Sequence, residues 1–419
     1  VSQTDSVLAH GVGNSHDLPL PFDLVLQAGA VTVVVSFLVV SALRRVPREP
    51  MVWRLSAGWD AALRSQWWRI PLRAVVLALT LYVVGVALFG PADKNPAAHA
   101  LFVWLWVGLV PLSLLFGPVW RVLNPLRTLH MLLCRLLRLP VTGLRPGLGR
   151  TGRWPAAVAL LAFVWFELIA PDRTDPRAVG VWLSGYAAVQ LGFGLVRGQQ
   201  WFARGDGFEL YSSLAGQLSV LGTDLDGRFV LRSPLTGLSW AAVPSGTMAF
   251  VAVWWGSTIY DSASGSPIWV GAVQSTGMHL LIPTAGLVGV CVVVAASLRW
   301  TASRVDIALP LVPIAAGYTL AHYASLLIVE GYRGVLMLVQ QWGFAESVEL
   351  DITPDPTALA VFQVACIIVG HLLGVLAAHE RALRAAPEKP SMLIAADELP
   401  SVMLMVMYTW VGLFLLFAA

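Results

Sequence analysis

Charge-free apolar runs of span length recur along the whole of this 419-residue chain, and that recurrence decides what it can fold into. A helix rising 1.5 Å per residue needs roughly 20 apolar residues to cross the hydrocarbon of a bilayer. Hydrophobic residues make up 57% of the chain and charged ones only 12%, against roughly a quarter in soluble domains, so a water-soluble fold is excluded. Hydropathy and loop punctuation predict ten spans, near 22–43, 70–91, 100–121, 154–171, 178–196, 244–260, 277–298, 306–329, 357–378 and 398–418. The expected fold is an all-α polytopic bundle: an outer tail, 1–21, followed by a single transmembrane domain, 22–419. The polar opening of the tail lacks the charged start and apolar core of a leader, so it reads as mature sequence.

Orientation follows from the basic residues, which accumulate on the cytoplasmic side. The loops 44–69, 121–153, 197–243, 299–305 and 379–397 hold 22 Lys and Arg, and the alternate set holds four: Lys94, Arg173, Arg177 and Arg333. Arg73 opens the second span, where its long side chain can snorkel to the inner interface. Both termini are therefore expected outside, in the periplasm or extracellular space, with the chain in the plasma (inner) membrane. The formal charge of +3 comes from these flanking arginines, so nucleic acid is not an expected partner. Amphipathic inner-face segments are expected near 51–69, 125–139 and 206–222, lying on the cytoplasmic leaflet. The arginine-heavy, Ala/Val/Leu-rich composition is that of high-GC bacterial sequences.

Ionisable residues inside spans are costly in lipid and usually mark a pathway, a ligand or a partner. Glu167 lies near the outer end of the fourth span, where it either reaches water or serves a site. By depth, His279 sits roughly 3 Å, His322 roughly 10 Å and His371 roughly 21 Å below the outer edges of their spans. The first two can share a site, and the third cannot without strong tilt. Completing partners would come from outer groups: His10, His16 and Asp17 of the tail, Asp261, and Glu330. Imidazoles and carboxylates of this kind hold Zn or Cu, so a divalent metal is one reading. Hydrogen-bonded packing histidines are the other. Tyr318, His322 and Ser325 fall on one helical face, a polar stripe that must point into the bundle. Above it, Glu346, Glu349, Asp351 and Asp355 form an acidic mouth or a solvated loop.

On the inner side, Asp206 and Glu209 are spaced as N-cap and N3 of a short helix. His379–Glu380 reads as a helix-end charge pair. The cysteines Cys134, Cys291 and Cys366 have no paired spacing and read as packing residues. Neither GxSxG, HExxH, CxxC nor a phosphate-binding loop occurs. No internal duplication is visible either, which weakens an inverted-repeat carrier.

The strings AHGVGNSHDLPLP (9–21), NPLRTL, GDGFELY, SPLTGLS, GSTIYD (256–261) and HYASLLIVEG (322–331) resemble the bacterial membrane proteins known as fenitrothion hydrolase, a family with many actinobacterial members. The resemblance implies a two-subunit, membrane-bound organophosphate hydrolase, hence a second membrane subunit as partner. It singles out His10, His16 and Asp17 in the tail, Asp206 and Tyr211 inside, and Asp261, His322 and Glu330 outside. One expectation is therefore a hydrolase of a lipophilic phosphoester at the outer face. Metal ligands would be His10, His16, Asp17, His279 and His322, with Glu330 or Asp261 as ligand or general base to a metal-bound water. The alternatives are an ion or metal permease, with His371 as a deeper stepping site, and an accessory subunit of a larger membrane complex. A polar path running past His371 to the inner loops would favour the permease.

Overall fold

The apolar runs become helices because lipid leaves backbone N–H and C=O groups no partner but one another. The computed structural model describes residues 21–43, 50–145, 151–224, 226–302, 308–345, 347–348 and 352–417. The helices are α1 (Phe22–Leu43), α2 (Ala57–Arg64), α3 (Gln66–Phe89), α4 (Leu109–Phe116, preceded by the π-helical His99–Val107), α5 (Pro125–Leu136), α6 (Trp154–Leu168), α7 (Pro176–Arg197) and α8 (Gly207–Ala215). They continue as α9 (Pro234–Trp240), α10 (Thr247–Ser264), α11 (Pro267–Thr276), α12 (Leu281–Ala302), α13 (Leu311–His322), α14 (Ala324–Gln340), α15 (Pro356–Ala385) and α16 (Ser391–Phe417). Local chemistry sets several starts: Asp175 caps α7 through Arg177 N and Ala178 N with proline following, and Asp355 and Ser233 cap α15 and α9 likewise.

Among the described residues, seven helical stretches are long and apolar enough to cross a membrane, and eight if the bent pair α13 and α14 is one span. Helices also stand at the two remaining expected positions. α6 is shorter, at 15 residues. α10 runs through the centre of the bundle, burying Phe250, Trp254 and Trp255 completely. A helix enclosed by protein in this way is apolar on every side.

A small antiparallel sheet departs from the all-α expectation. Strands β1 (Val52–Arg54), β2 (Leu221–Thr223) and β3 (Phe229–Arg232) pair in the order β1-β3-β2, with Trp53 opposite Leu231 and Gly222 opposite Val230. Runs of three or four residues carry too little alternation to be read as strands. The expected interfacial segment 51–69 is accordingly split into a strand, α2 and the start of α3. The segment 206–222 is not interfacial either, since α8 is buried along its length. Segment 125–139 comes closest to expectation: α5 buries Leu126, His130 and Cys134, four residues apart, and exposes Leu132 and Leu136.

The tightest helix pair is α13 on α15. A Cβ at Gly370 would lie 2.6 Å from the Pro313 carbonyl oxygen, and one at Gly374 would lie 2.9 Å from that of Pro310. Close backbone approach through small residues is how membrane helices gain van der Waals contact, since lipid supplies no hydrophobic drive between them. Gly370→Leu should therefore force these helices apart and destabilise the protein by about 1–3 kcal/mol. Thermal unfolding in detergent checks this, with the exposed Gly271→Leu, where a Cβ meets nothing, as the neutral control.

Candidate functional site

A polar cluster lies where α10 meets the end of α13. α13 stops at His322, and α14 leaves at a 61° bend, with Tyr323 between them at φ −100° and ψ 14°. In an unbroken helix adjacent side chains diverge by about 100°. The break lets His322 and Tyr323 converge on one oxygen: His322 Nε2 lies 3.0 Å and the Tyr323 hydroxyl 2.7 Å from Asp261 Oδ2. On the other side of the ring, His322 Nδ1 is 3.4 Å from Ser262 Oγ, which is 2.9 Å from the Tyr318 hydroxyl. The Tyr318 ring stacks on the imidazole at 5.8 Å. All five residues are buried. Glu167, half-buried on α6, is near enough to Asp261 for the two charges to interact.

The structure thus brings together two of the expected site residues, Asp261 and His322, and turns the imidazole inward. The stripe holds for Tyr318 and His322, while Ser325 falls beyond the bend. Glu330 is elsewhere: its carboxylate takes His99 Nε2 at 2.9 Å and pairs with Arg333. His99, at the start of the π-helical turn, was missed because it sits at a span boundary where hydropathy draws no notice. His279 lies in an exposed turn before α12, not inside a span, because α11 closes on Gly277 in the left-handed region and α12 starts at Leu281. His10, His16, Asp17, Glu346, Glu349 and Asp351 lie outside the described residues. Among the described residues no three of His, Cys, Asp and Glu gather as a metal ion requires. Of the five expected ligands, only His279 and His322 are among the described residues. His371 is buried, its Nδ1 2.8 Å from the Ile367 carbonyl and its Nε2 without a partner among the described residues.

A second network lies at the arginine-rich end. Asp206 caps α8 by accepting from Phe208 N, as the spacing predicted. Glu209 turns instead to Arg127, which donates from Nε and Nη2 at 2.6 Å each. This bidentate geometry suits guanidinium and carboxylate. Asn124 donates to both acids, and the Tyr186 hydroxyl donates to Asp206 at 2.6 Å. On α15, His379 pairs with Glu398 at 2.8 Å and Glu380 with Arg384, so the expected His379–Glu380 charge pair gives way to partners from a different helix and from the next turn.

Compared with known proteins, the chain matches no family model, no curated protein and no solved structure.

Burial, and then the adjacent Glu209 charge, push the Asp206 carboxyl up from 3.8 to about 6. A carboxyl whose folded pKa is raised binds more protons in the folded than in the unfolded state between those values. Its contribution to stability is greatest below the unfolded pKa and declines as pH rises to about 6. Unfolding of the detergent-solubilised protein between pH 4 and 7 should show this component, and Asp206→Asn should flatten it.

Proposed function

We propose that the chain is a ten-span plasma-membrane permease that passes protons through its interior, with both termini on the outer face. The observation that carries the reading is Asp261 sharing one oxygen with an imidazole and a phenol, enclosed among helices. Ionisable groups held so deep in a membrane bundle usually serve proton relays. An imidazole bonded at both ring nitrogens can take a proton at one and release it at the other.

The groups between the two networks support a route. The Tyr323 hydroxyl, bonded to Asp261, lies beside Trp106, whose ring stacks on Tyr211 at 4.6 Å, and Tyr211 lies beside Thr319. Tyr211 belongs to α8, which also carries Glu209 and is capped by Asp206. Trp106 Nε1 and the Tyr211 hydroxyl are both buried, the first beside the Tyr323 hydroxyl and the second beside Thr319. This line of polar groups leads from Asp261 to α8. It bypasses His371, the stepping site expected of a permease.

A second reading keeps the hydrolase that the resemblance implies, acting on a lipophilic phosphoester through a serine. Ser262, His322 and Asp261 stand in the order nucleophile, base and orienting carboxylate, and the Tyr318 hydroxyl beside Ser262 Oγ would donate to a developing oxyanion. The burial of all three requires the ester to arrive from within the bundle or from lipid.

One set of variants separates the two. In proteoliposomes carrying an internal pH dye, the protein should dissipate an imposed pH gradient, and Asp261→Asn and His322→Ala should slow this about tenfold or more. Ser262→Ala, which removes the group bonded to His322 Nδ1, should slow it as well, though less than His322→Ala. Flux at the level of empty liposomes, or flux indifferent to Asp261→Asn, removes the permease reading. Covalent capture of a fluorophosphonate, lost in Ser262→Ala, establishes the hydrolase. For the topology, cysteines placed in the tail should label from outside intact cells, and cysteines in 121–145 only after permeabilisation. The reverse pattern overturns the orientation.

A further inference from the structure

α6 and α7 are consecutive antiparallel helices, yet a cleft of about 760 Å³ separates them. It runs from the arginine-rich end toward the middle of the bundle. Trp154 and Val158 of α6 form one wall, Trp182, Val189 and Phe193 of α7 the other, and Trp201 closes the floor. Trp154, Val158, Val189 and Phe193 are about half exposed or more, so the cleft opens sideways onto the surface that the apolar helices turn to lipid.

The polar atoms of the floor are occupied within the protein. Trp201 Nε1 donates to Gln190 Oε1 at 2.7 Å, Gln190 Nε2 donates to the Gly205 carbonyl at 2.9 Å, and the Tyr186 hydroxyl donates to Asp206. What remains inside is apolar, and its size is that of a small-molecule site, about 300–1,000 Å³. The polar end of the cleft is basic. Arg197 lines it beside Thr151, Arg153 precedes Trp154, and Arg204 is close enough to Arg153 for their charges to repel. Asp206, next to the lining residue Gly205, already accepts from Tyr186, Asn124 and Phe208 N.

An apolar slot open to lipid, lined by Arg197 at its polar end, with Arg153 (which donates to Thr247 Oγ1 at 3.2 Å) and Arg204 each one residue from its lining, fits a molecule with a long hydrocarbon chain and an anionic head. We infer that the cleft between α6 and α7 binds an anionic phospholipid, with its acyl chain between the two helices and its phosphate against Arg153, Arg197 and Arg204. Basic pockets between membrane helices on the cytoplasmic side take such headgroups, and the topology proposed above puts this end in that leaflet. The binding itself does not depend on proton passage. Tyr186 links the two sites, since it lines the cleft and holds Asp206 Oδ1.

Wall-filling variants test the chain, and charge removal tests the head. At Gly185, on the cleft wall of α7, an added Cβ meets nothing within 4 Å, so Gly185→Trp fills the slot without a backbone clash, and Val158→Trp fills it from the opposite wall. The full-length protein, exchanged into nanodiscs of equal parts phosphatidylglycerol and phosphatidylcholine, is released into detergent, and the lipids it keeps are weighed by native mass spectrometry. The parent protein should retain phosphatidylglycerol about tenfold over phosphatidylcholine. Arg197→Gln combined with Arg204→Gln should abolish that preference, and either tryptophan variant should lose the retained lipid while unfolding at the parent temperature. Equal retention of both lipids by the parent makes the cleft a neutral-lipid or lipophile slot and overturns the headgroup assignment. Unchanged retention in both folded tryptophan variants overturns the site.

Discussion

A carboxylate enclosed by helices in an apolar surrounding is held only if other groups bring it hydrogen bonds or charge, and Asp261 is the point about which this bundle is arranged. Two of its partners are consecutive residues, His322 and Tyr323, which a broken helix can present together. The break at Tyr323 is thus tied to the carboxylate. Straightening it would leave Asp261 with one donor fewer, at the cost that a buried unpaired polar group carries, about 1–3 kcal/mol. Ser262 and Tyr318 extend the network on the other side of the imidazole, so the cluster fixes α10 against α13.

The bend also redirects the chain. α13 is pressed onto α15 through Gly317, Gly370 and Gly374, while α14 turns away and lies against the π-helical segment at the start of α4. There His99 and Glu330 meet, Trp104 Nε1 donates to the Gly331 carbonyl at 3.0 Å, and Gly334 gives room to His99 and Trp104. A π-helical stretch is uncommon and tends to occur where function or packing demands it. Here it carries His99, Phe102, Val103 and Trp106, all buried, on the side of the bundle that contains both the His99–Glu330 pair and the stack of Trp106 on Tyr211.

Several parts of this arrangement are legible from residue types and spacing. The inward orientation of His322 follows from Tyr318 one turn before it, because a polar face cannot meet lipid. The Asp206 cap follows from its spacing to Glu209, and the rest of that network does not: Arg127, Asn124 and Tyr186 come from three other parts of the chain. The same limit explains the misassigned partners. Glu330 is two turns beyond His322 in sequence, but the bend carries it to His99, 231 residues away. His379 is adjacent to Glu380, yet neighbours on a helix diverge, and α16 brings Glu398 opposite it.

The sequence by itself determined the solvent, the helical class and the side on which basic charge accumulates, because each is a property of composition or of local period. It also determined which polar residues must be hidden, since any ionisable group within an apolar run has to leave lipid. Only the tertiary structure decided with whom each is hidden. A hydrogen bond needs atoms within about 3 Å, and which atoms come that close depends on helix crossings, on a 61° bend and on glycine contacts that no local pattern encodes.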